Sequence, residues 1–464
     1  MSKPELWPHQ QAAKDFVDGK SAAMLAMVMR SGKSRVTVEL LDERKAMNTL
    51  LVCPKSVVDV WPEQFEQYSD RNVICCTLKK GTLKQRMEQA KAFGERFPNQ
   101  PKVFIINMDA FWRKPFLDWA MNYHWDAFVA DEAHRLKAPG GVASRAAARL
   151  TLGGGADRRK IAFRLALTGT PMPHDPLDLY GQYRFLDQAV FGTSYTFVKN
   201  RYSIQVPANG FQITVGYNVA PGTKYFRQDM YDEFQEKFHR LAYVVGPEVL
   251  NLPEPLHITR YCELEPKGRK IYDDLEKNFY AEVEAGEITA SNAMVKALRL
   301  QQCTSGFARL ADSSGDDELE VDRAKRSLLE DTLADLDEPV VVFCRFRHDL
   351  DSAHEAARMV GMRSLELSGR INQLQEWQQG GAPVLAVQTQ AGGVGIDLSR
   401  AKLAIYYSLG LSLGDHLQSL ARLQAKDMAW HPTYYYLLAK GTVDEKVYCA
   451  LEARKEIIEE IMKR

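Results

Sequence analysis

The residues best equipped for chemistry form two short groups. The first is Met29-Arg30-Ser31-Gly32-Lys33-Ser34. A phosphate-cradling turn needs small residues so that backbone N–H groups can wrap the anion, a lysine to reach the outer phosphates, and a Ser or Thr hydroxyl for magnesium. Gly32, Lys33 and Ser34 meet that need. Met27 occupies the early glycine position and Arg30 stands where a second glycine is common, so this segment alone equally fits a Gly-Lys-Ser surface turn. The second group, Asp131-Glu132-Ala133-His134, follows the apolar run AFVA. A carboxylate at a strand end can hold magnesium, and its neighbour can orient an attacking water for phosphoryl transfer. Acidic residues also favour the positive end of a helix dipole with no catalytic purpose. Taken jointly, the two groups supply the context of a Walker A and Walker B pair.

Such groups work only when strands hold them. TLLVCP (49–54), KVFIINM (102–108), AFVADEA (127–133) and FRLALTGT (163–170) read as buried strands separated by helix-length segments. That grammar predicts an α/β fold with a parallel sheet covered by helices on both faces. Chemistry in such sheets lies beyond the carboxyl ends of the strands, where Pro54, Asp131 and Thr168 fall. From 191 to 255 the chain is aromatic-rich and punctuated by Gly and Pro, which reads as an insertion joined on through NLPEP (251–255). Within it, YDEFQEKFHRLAYVV has helical spacing. Residues 266–303 look helical and 311–322 form an acidic loop. A second strand series follows: PVVVFCRF (339–346), MRSLELSG (362–369), PVLAVQT (383–389) and KLAIYYSL (402–409). The expected organisation is a first lobe (1–190), its insertion (191–255), a linker with helical protrusion (256–325) and a second lobe (326–464). Trp61, Trp112, Trp119 and Trp125 read as packing residues rather than base-stacking platforms. Val443, Val447 and Leu451 mark the buried stripe of a terminal helix.

Composition narrows the class. The 464 residues are 45% hydrophobic and 26% charged, which excludes a fibrous or disordered chain. Sixty Lys and Arg balance sixty Asp and Glu, so any grip on nucleic acid must come from locally arranged cations. The seven cysteines contain no C-x-x-C pair and the ten histidines no metal-spaced cluster, which argues against a zinc site or disulfide framework and for a reducing compartment. The start, MSKPELWPHQQAAKDF, lacks the features of a signal peptide, and no run of about 18 apolar residues exists. A soluble intracellular protein without membrane partners is expected.

In order and over nearly the whole length, the segments resemble the Swi/Snf branch of superfamily-two helicase motors. Trp7-Pro8-His9-Gln10 is similar to that family's adenine-reading entry motif, LLVCPKSVVDVW (50–61) to motif Ia, and FIINMD (104–109) to the next strand. VADEAHRLK resembles the Walker B or DEAH-box motif, and LTGTPMPHDPLDLYGQYRFLD (167–187) motif III with its following helix. VLNLPEP and YDDL resemble the entrance to the second lobe, QTQAGGVGIDLSRAKLAIYY (388–407) motif V, and GTVDEKVYCALEARK the closing brace helix. The resemblance implies two RecA-like lobes of a P-loop helicase core with helical insertions, ATP and Mg2+ in a cleft between them, and double-stranded DNA bound through its backbone without regard to sequence. It implies a monomeric translocase that moves on duplex without processive strand separation. Gln10 would read adenine, while Arg30, Ser31, Gly32, Lys33 and Ser34 would wrap phosphate. Ser34 and Asp131 would hold magnesium, and Glu132 would position water. Thr168 and Thr170 would link the ATP state to DNA. Gly392, Gly393 and Gly395 would permit close backbone approach, with Asp397 near the ribose. Pro54, Lys55 and Ser56, with Thr389 and Gln390, would touch the DNA backbone.

One departure is informative. In Gln418-Ser419-Leu420-Ala421-Arg422-Leu423-Gln424-Ala425-Lys426-Asp427, Arg422 matches the first of the family's two motif VI arginines and Ala425 occupies the second, the finger position. Such a finger is worth about 10³–10⁵ in rate. The resemblance therefore implies binding with impaired hydrolysis, unless Arg422 or Lys426 compensates. Two alternatives stay open: an ATP-responsive DNA clamp without turnover, and an RNA-directed motor. A cytoplasmic site in a bacterial or virus-infected cell is expected, with Lys and Arg concentrated on a DNA-facing surface. The sequence names no protein partner.

Overall fold

The computed structural model describes residues 3–153, 160–208, 211–284, 290–309, 318–389, 396–424 and 428–463. Two units emerge: Met1–Asn251 with Glu456–Arg464, and Leu252–Lys455.

The first unit is built on β1 (Ala22–Met27), β2 (Asn48–Cys53), β3 (Ile74–Leu78), β4 (Lys102–Asn107), β5 (Ala127–Asp131), β6 (Phe163–Thr168), β7 (Ser203–Ala208), β8 (Phe211–Tyr217) and β9 (Ala242–Val245). Seven of these form one sheet in the order β3-β4-β2-β5-β6-β1-β9. Every pairing in it is parallel. Intervening helices such as Lys33–Glu43, Trp61–Tyr68 and Leu83–Arg96 make the crossovers that a parallel sheet requires. Its inner strands are apolar along their whole length because both faces are covered. The core joins Leu25, Leu51, Ile105, Val129 and Leu167 to Val36, Trp61 and Phe65 from the helices. Phe104 sits among Phe93, Trp119, Tyr123 and Trp125 at ring-centroid distances of 5.4, 5.8, 5.4 and 5.2 Å, so Trp119 and Trp125 are packing residues as expected.

In this sheet the structure departs from the sequence reading at three strands. β1 (AAMLAM) is made of good helix formers, and only its position between β6 and β9, with all six residues buried, makes it a strand. β3 (ICCTL) is a half-exposed edge strand without a continuous apolar signature. The helix within the 191–255 segment stops at Leu241, and Ala242–Val245 then joins the main sheet beside β1. Part of that segment is therefore sheet; the antiparallel hairpin β7–β8 belongs to the inserted part.

The second unit contains β10 (Leu256–Cys262), β11 (Phe307–Arg309), β12 (Glu318–Glu320), β13 (Val340–Cys344), β14 (Ser364–Leu367), β15 (Val384–Gln388), β16 (Leu403–Tyr406) and β17 (Thr433–Ala439). Its main sheet runs β10-β17-β16-β13-β15-β14, again parallel throughout. Leu329, Val342, Ala353, Ala386, Ile405 and Leu437 centre its core. The helical stretch expected at 266–303 is realised as Pro266–Glu284 and Ala290–Thr304, and Val443, Val447 and Leu451 of the terminal helix are buried. Each unit is a RecA-like lobe.

Candidate functional site

In the first sheet β5, β6 and β1 are consecutive neighbours, so their carboxyl ends bring together Asp131 and Glu132, Thr168 and Thr170, and the turn that leads to Lys33. That turn is tight. Arg30 has φ 64° and Gly32 φ 84°. The left-handed region is costly for an arginine, and such strain persists where the surroundings over-determine it. Gly32 caps the helix Lys33–Glu43, whose N-terminal N–H groups and dipole favour an anion. Lys33 Nζ donates to the carbonyl oxygens of Met27 at 2.8 Å and Val28 at 3.1 Å. Buried Gln10 lies against the same turn: its Oε1 accepts from Trp7 N at 3.0 Å, and its Nε2 donates to Ser31 O at 3.1 Å. A Cβ at Gly32 would lie 2.1 Å from that Nε2 and displace the Gln10 amide, and the left-handed φ itself calls for glycine.

At the end of β5, Asp131 has both carboxylate oxygens engaged. Oδ1 accepts from Glu132 N at 3.0 Å and Oδ2 from the indole Nε1 of Trp61 at 3.1 Å. Burial, reinforced by the Glu132 carboxylate, pushes the Asp131 carboxyl above the usual carboxylate range, against the pull of Lys33 and Trp61. Two half-buried carboxylates beside a lysine and a hydroxyl-bearing turn form a donor set that suits Mg2+, an ion that takes one or two protein oxygens and leaves the rest of its shell to water and phosphate. Among the described residues no cluster of three or more His, Cys, Asp or Glu could hold a metal by itself.

Glu132 takes φ 53° and opens the 3-10 turn Ala133–Leu136. Its Oε2 lies 3.3 Å from His134 Nδ1, which in turn lies 3.2 Å from Thr168 Oγ1. Thr168 Oγ1 also accepts from Thr170 N at 3.1 Å. Glu132, His134, Thr168 and Thr170 thus form a continuous polar path from β5 to β6. Gly181, on the helix Asp178–Leu186, packs directly on the turn: a Cβ there would lie 2.3 Å from Lys137 O. The sequence groups Asp131, Glu132 and His134, but carries no local signal for the contact of His134 with Thr168 or of Trp61 with Asp131, since those partners are distant in the chain.

At the ends of β2 and β4, Pro54 is buried while Lys55 and Ser56 are exposed on the 3-10 turn Lys55–Val57. Beside them a cavity of about 160 Å³ is lined by Lys55, Leu83, Arg86, Asn107, Asp109 and Arg113, three cations to one carboxylate. Arg86 is held in place by Gly81 O at 3.0 Å and Asn107 Oδ1 at 2.9 Å. Arg86 and Arg113 lie outside every sequence motif; the parallel pairing of β2 with β4, Cys53 opposite Asn107, brings them to Lys55.

Residues 16–306 match the SNF2-related domain and residues 324–424 the helicase conserved C-terminal domain. The chain belongs to the SNF2-related domain family. It is 24% identical over 470 residues to a protein designated p41 of Acyrthosiphon pisum secondary endosymbiont phage 1, covering 94% of each chain. It is 21% identical to an uncharacterized ATP-dependent helicase of Mycoplasma genitalium, with 96% of this chain matched but only 40% of that protein. Among solved structures it is similar to the Sulfolobus solfataricus SWI2/SNF2 ATPase core in complex with dsDNA, at 18% identity and a TM-score of 0.44, covering 99% of this chain and 93% of that one.

In the second unit of this SNF2-related chain, Thr389 follows β15 and donates from Oγ1 to Cys344 O at 3.2 Å. Asp397 is exposed, and its Oδ1 accepts from Ser399 N at 3.0 Å. Arg422 is buried near the end of the helix Leu413–Leu423, and its carbonyl accepts from Leu398 N at 3.1 Å, tying motif VI to motif V. A tyrosine rack seats that helix: Tyr406 Oη meets Ser419 Oγ at 2.6 Å and Tyr434 Oη donates to Leu420 O at 2.7 Å. His416, facing the rack, is held neutral; burial pushes it down to about 3. Gln390, Gly392, Gly393, Gly395 and Ala425 lie outside the described residues.

Proposed function

We propose that the chain is an ATP-driven motor that hydrolyses ATP to ADP and phosphate while moving along double-stranded DNA. The observation that carries this reading is the alignment of the Lys33 turn, the Asp131–Glu132 pair and Thr168–Thr170 along one edge of β5-β6-β1, with exposed Lys55 and a cationic cavity at the end of β2, the next strand in the sheet. Lys33 and the N–H groups of the Arg30–Ser34 turn bind the outer phosphates. Ser34 and Asp131 would hold Mg2+, which would supply neutralisation of phosphate charge when bound. Glu132 orients the attacking water. The Glu132–His134–Thr168–Thr170 path reports the state of the phosphate end to β6. Lys55, Arg86 and Arg113 take backbone phosphates, and contacts of that kind position DNA without reading its sequence. Movement arises because nucleotide-bound and nucleotide-free states differ in their affinity for DNA.

Ala425 supports a second feature of this reading: hydrolysis is slowed while ATP and DNA binding are kept. Steady-state ATPase measured with no nucleic acid, duplex DNA, single-stranded DNA and RNA tests both parts. Stimulation greatest with duplex DNA, and a rise of roughly 10³–10⁵ in Ala425→Arg, are expected. A preference for RNA would overturn the duplex assignment. Full turnover already present with Ala425, unchanged by the arginine, would remove the finger argument. Duplex-binding that responds to ATP with no turnover in either chain would leave a clamp.

A further inference from the structure

We propose that Trp61 is a positioning residue that couples the DNA-facing segment Pro54–Ser56 to the Asp131 carboxylate. The inference rests on the motor reading above and adds to it a route between its two ligands. Trp61 is 2% exposed and packs on Phe65 at a ring-centroid distance of 6.1 Å, which by itself marks a core residue. Its indole N–H, however, donates to Asp131 Oδ2 at 3.1 Å. The other carboxylate oxygen is fixed by the backbone of the next residue, Glu132, and so moves with β5. The Trp61 bond, by contrast, comes from elsewhere in the fold.

What it comes from is a chain of short hydrogen-bonded turns. Val57 N donates to Pro54 O at 3.1 Å, Val60 N to Val57 O at 3.1 Å, and Gln64 N to Val60 O at 3.4 Å, where the helix Trp61–Tyr68 begins. No extended joint separates Lys55 and Ser56 from the indole. A load on that segment is therefore passed to the ring, and the ring can turn or release Asp131 Oδ2. Because buried indole N–H groups need a partner, a purely structural role would also place an acceptor here. The two roles differ in whether DNA and Mg2+-nucleotide sense each other through Trp61.

The test uses the full chain and Trp61→Phe, which keeps a buried ring and deletes the donor. Binding of a fluorescent N-methylanthraniloyl-ADP is titrated across Mg2+ concentrations, with and without a short DNA duplex. No turnover is needed. In the parent chain duplex DNA shifts the Mg2+ half-saturation point. In Trp61→Phe that point rises roughly tenfold, the size expected for losing a hydrogen bond to a charged group, and the duplex no longer shifts it. Duplex affinity without nucleotide stays the same. An unchanged Mg2+ requirement together with an unchanged DNA shift makes Trp61 a packing residue and overturns the proposal. Failure of the parent chain to bind Mg2+-nucleotide or duplex overturns the motor reading itself. If Trp61→Phe melts early, benzothienylalanine at position 61, which keeps the bicyclic shape without an N–H, carries the same expectations.

Discussion

Asp178 shows how a single side chain can record the cost of building this site. It opens the helix that packs on the Walker B turn and accepts the backbone N–H groups of His174 at 2.7 Å and Asp175 at 3.3 Å. Burial, aided by the Asp175 carboxylate, outweighs those bonds and pushes its carboxyl up to about 7 from an ordinary 3.8. Between those values the folded chain holds a proton that the unfolded chain has released, so stability falls as pH rises through the window. The total is on the order of 4 kcal/mol. Thermal melting of the nucleotide-free protein is expected to drop from pH 4.5 to pH 7, and Asp178→Asn is expected to flatten much of that slope. Asp131 is shifted in the same direction and retains its own share in the variant. An Asp178→Asn chain with the parent's slope would show that Asp178 ionises freely in the fold.

Elements are joined at a few buried polar points, and the start of the terminal helix Val443–Met462 is the clearest. The Asp444 carboxylate accepts from the Lys325 ammonium, from Thr304 Oγ1 at 2.8 Å and from Ala439 N at 3.2 Å. Lys325 and Asp444 side chains are 2% and 8% exposed. This one carboxylate fastens the helices Ala290–Thr304 and Ala324–Ala334 and the end of β17 to the brace helix. Removing one member of a buried pair strands the other charge, typically at about 3–5 kcal/mol. Lys325→Met is expected to lose that much in urea unfolding, and Lys325→Met with Asp444→Leu to recover a large part of it. A loss confined to a few tenths of a kcal/mol in the single variant would show that Asp444 is satisfied by Thr304 and Ala439 alone.

The molecule as a whole carries no net charge, so in the proposed motor the grip on DNA comes from locally arranged cations, and Lys55, Arg86 and Arg113 around their cavity supply three. Deleting one cation that neutralises a phosphate lowers the slope of log binding constant against log salt by about 0.9. Arg86→Gln and Arg113→Gln are each expected to reduce the duplex-binding slope by roughly that amount, equally on unrelated sequences, and to leave nucleotide affinity unchanged. Slopes equal to the parent's would remove the cavity from the DNA surface.

Gly32-Lys33-Ser34, Asp131-Glu132 and the apolar strands before most of them are legible locally, because burial on both faces and the small residues of a tight turn leave a mark on consecutive positions. The order of the motifs along the chain is enough to indicate two parallel-sheet lobes and a nucleotide site. β1 is not legible, since its Ala, Met and Leu favour a helix until neighbours enclose them. Nor are the bond from Trp61 to Asp131, the contact of His134 with Thr168, or the meeting of Lys55 with Arg86 and Arg113. Those depend on a sheet order, β3-β4-β2-β5-β6-β1-β9, that rearranges the sequence order. Local composition records whether a residue is buried; which distant donor meets which acceptor is set by the register of parallel strands, and that exists only once the sheet has formed.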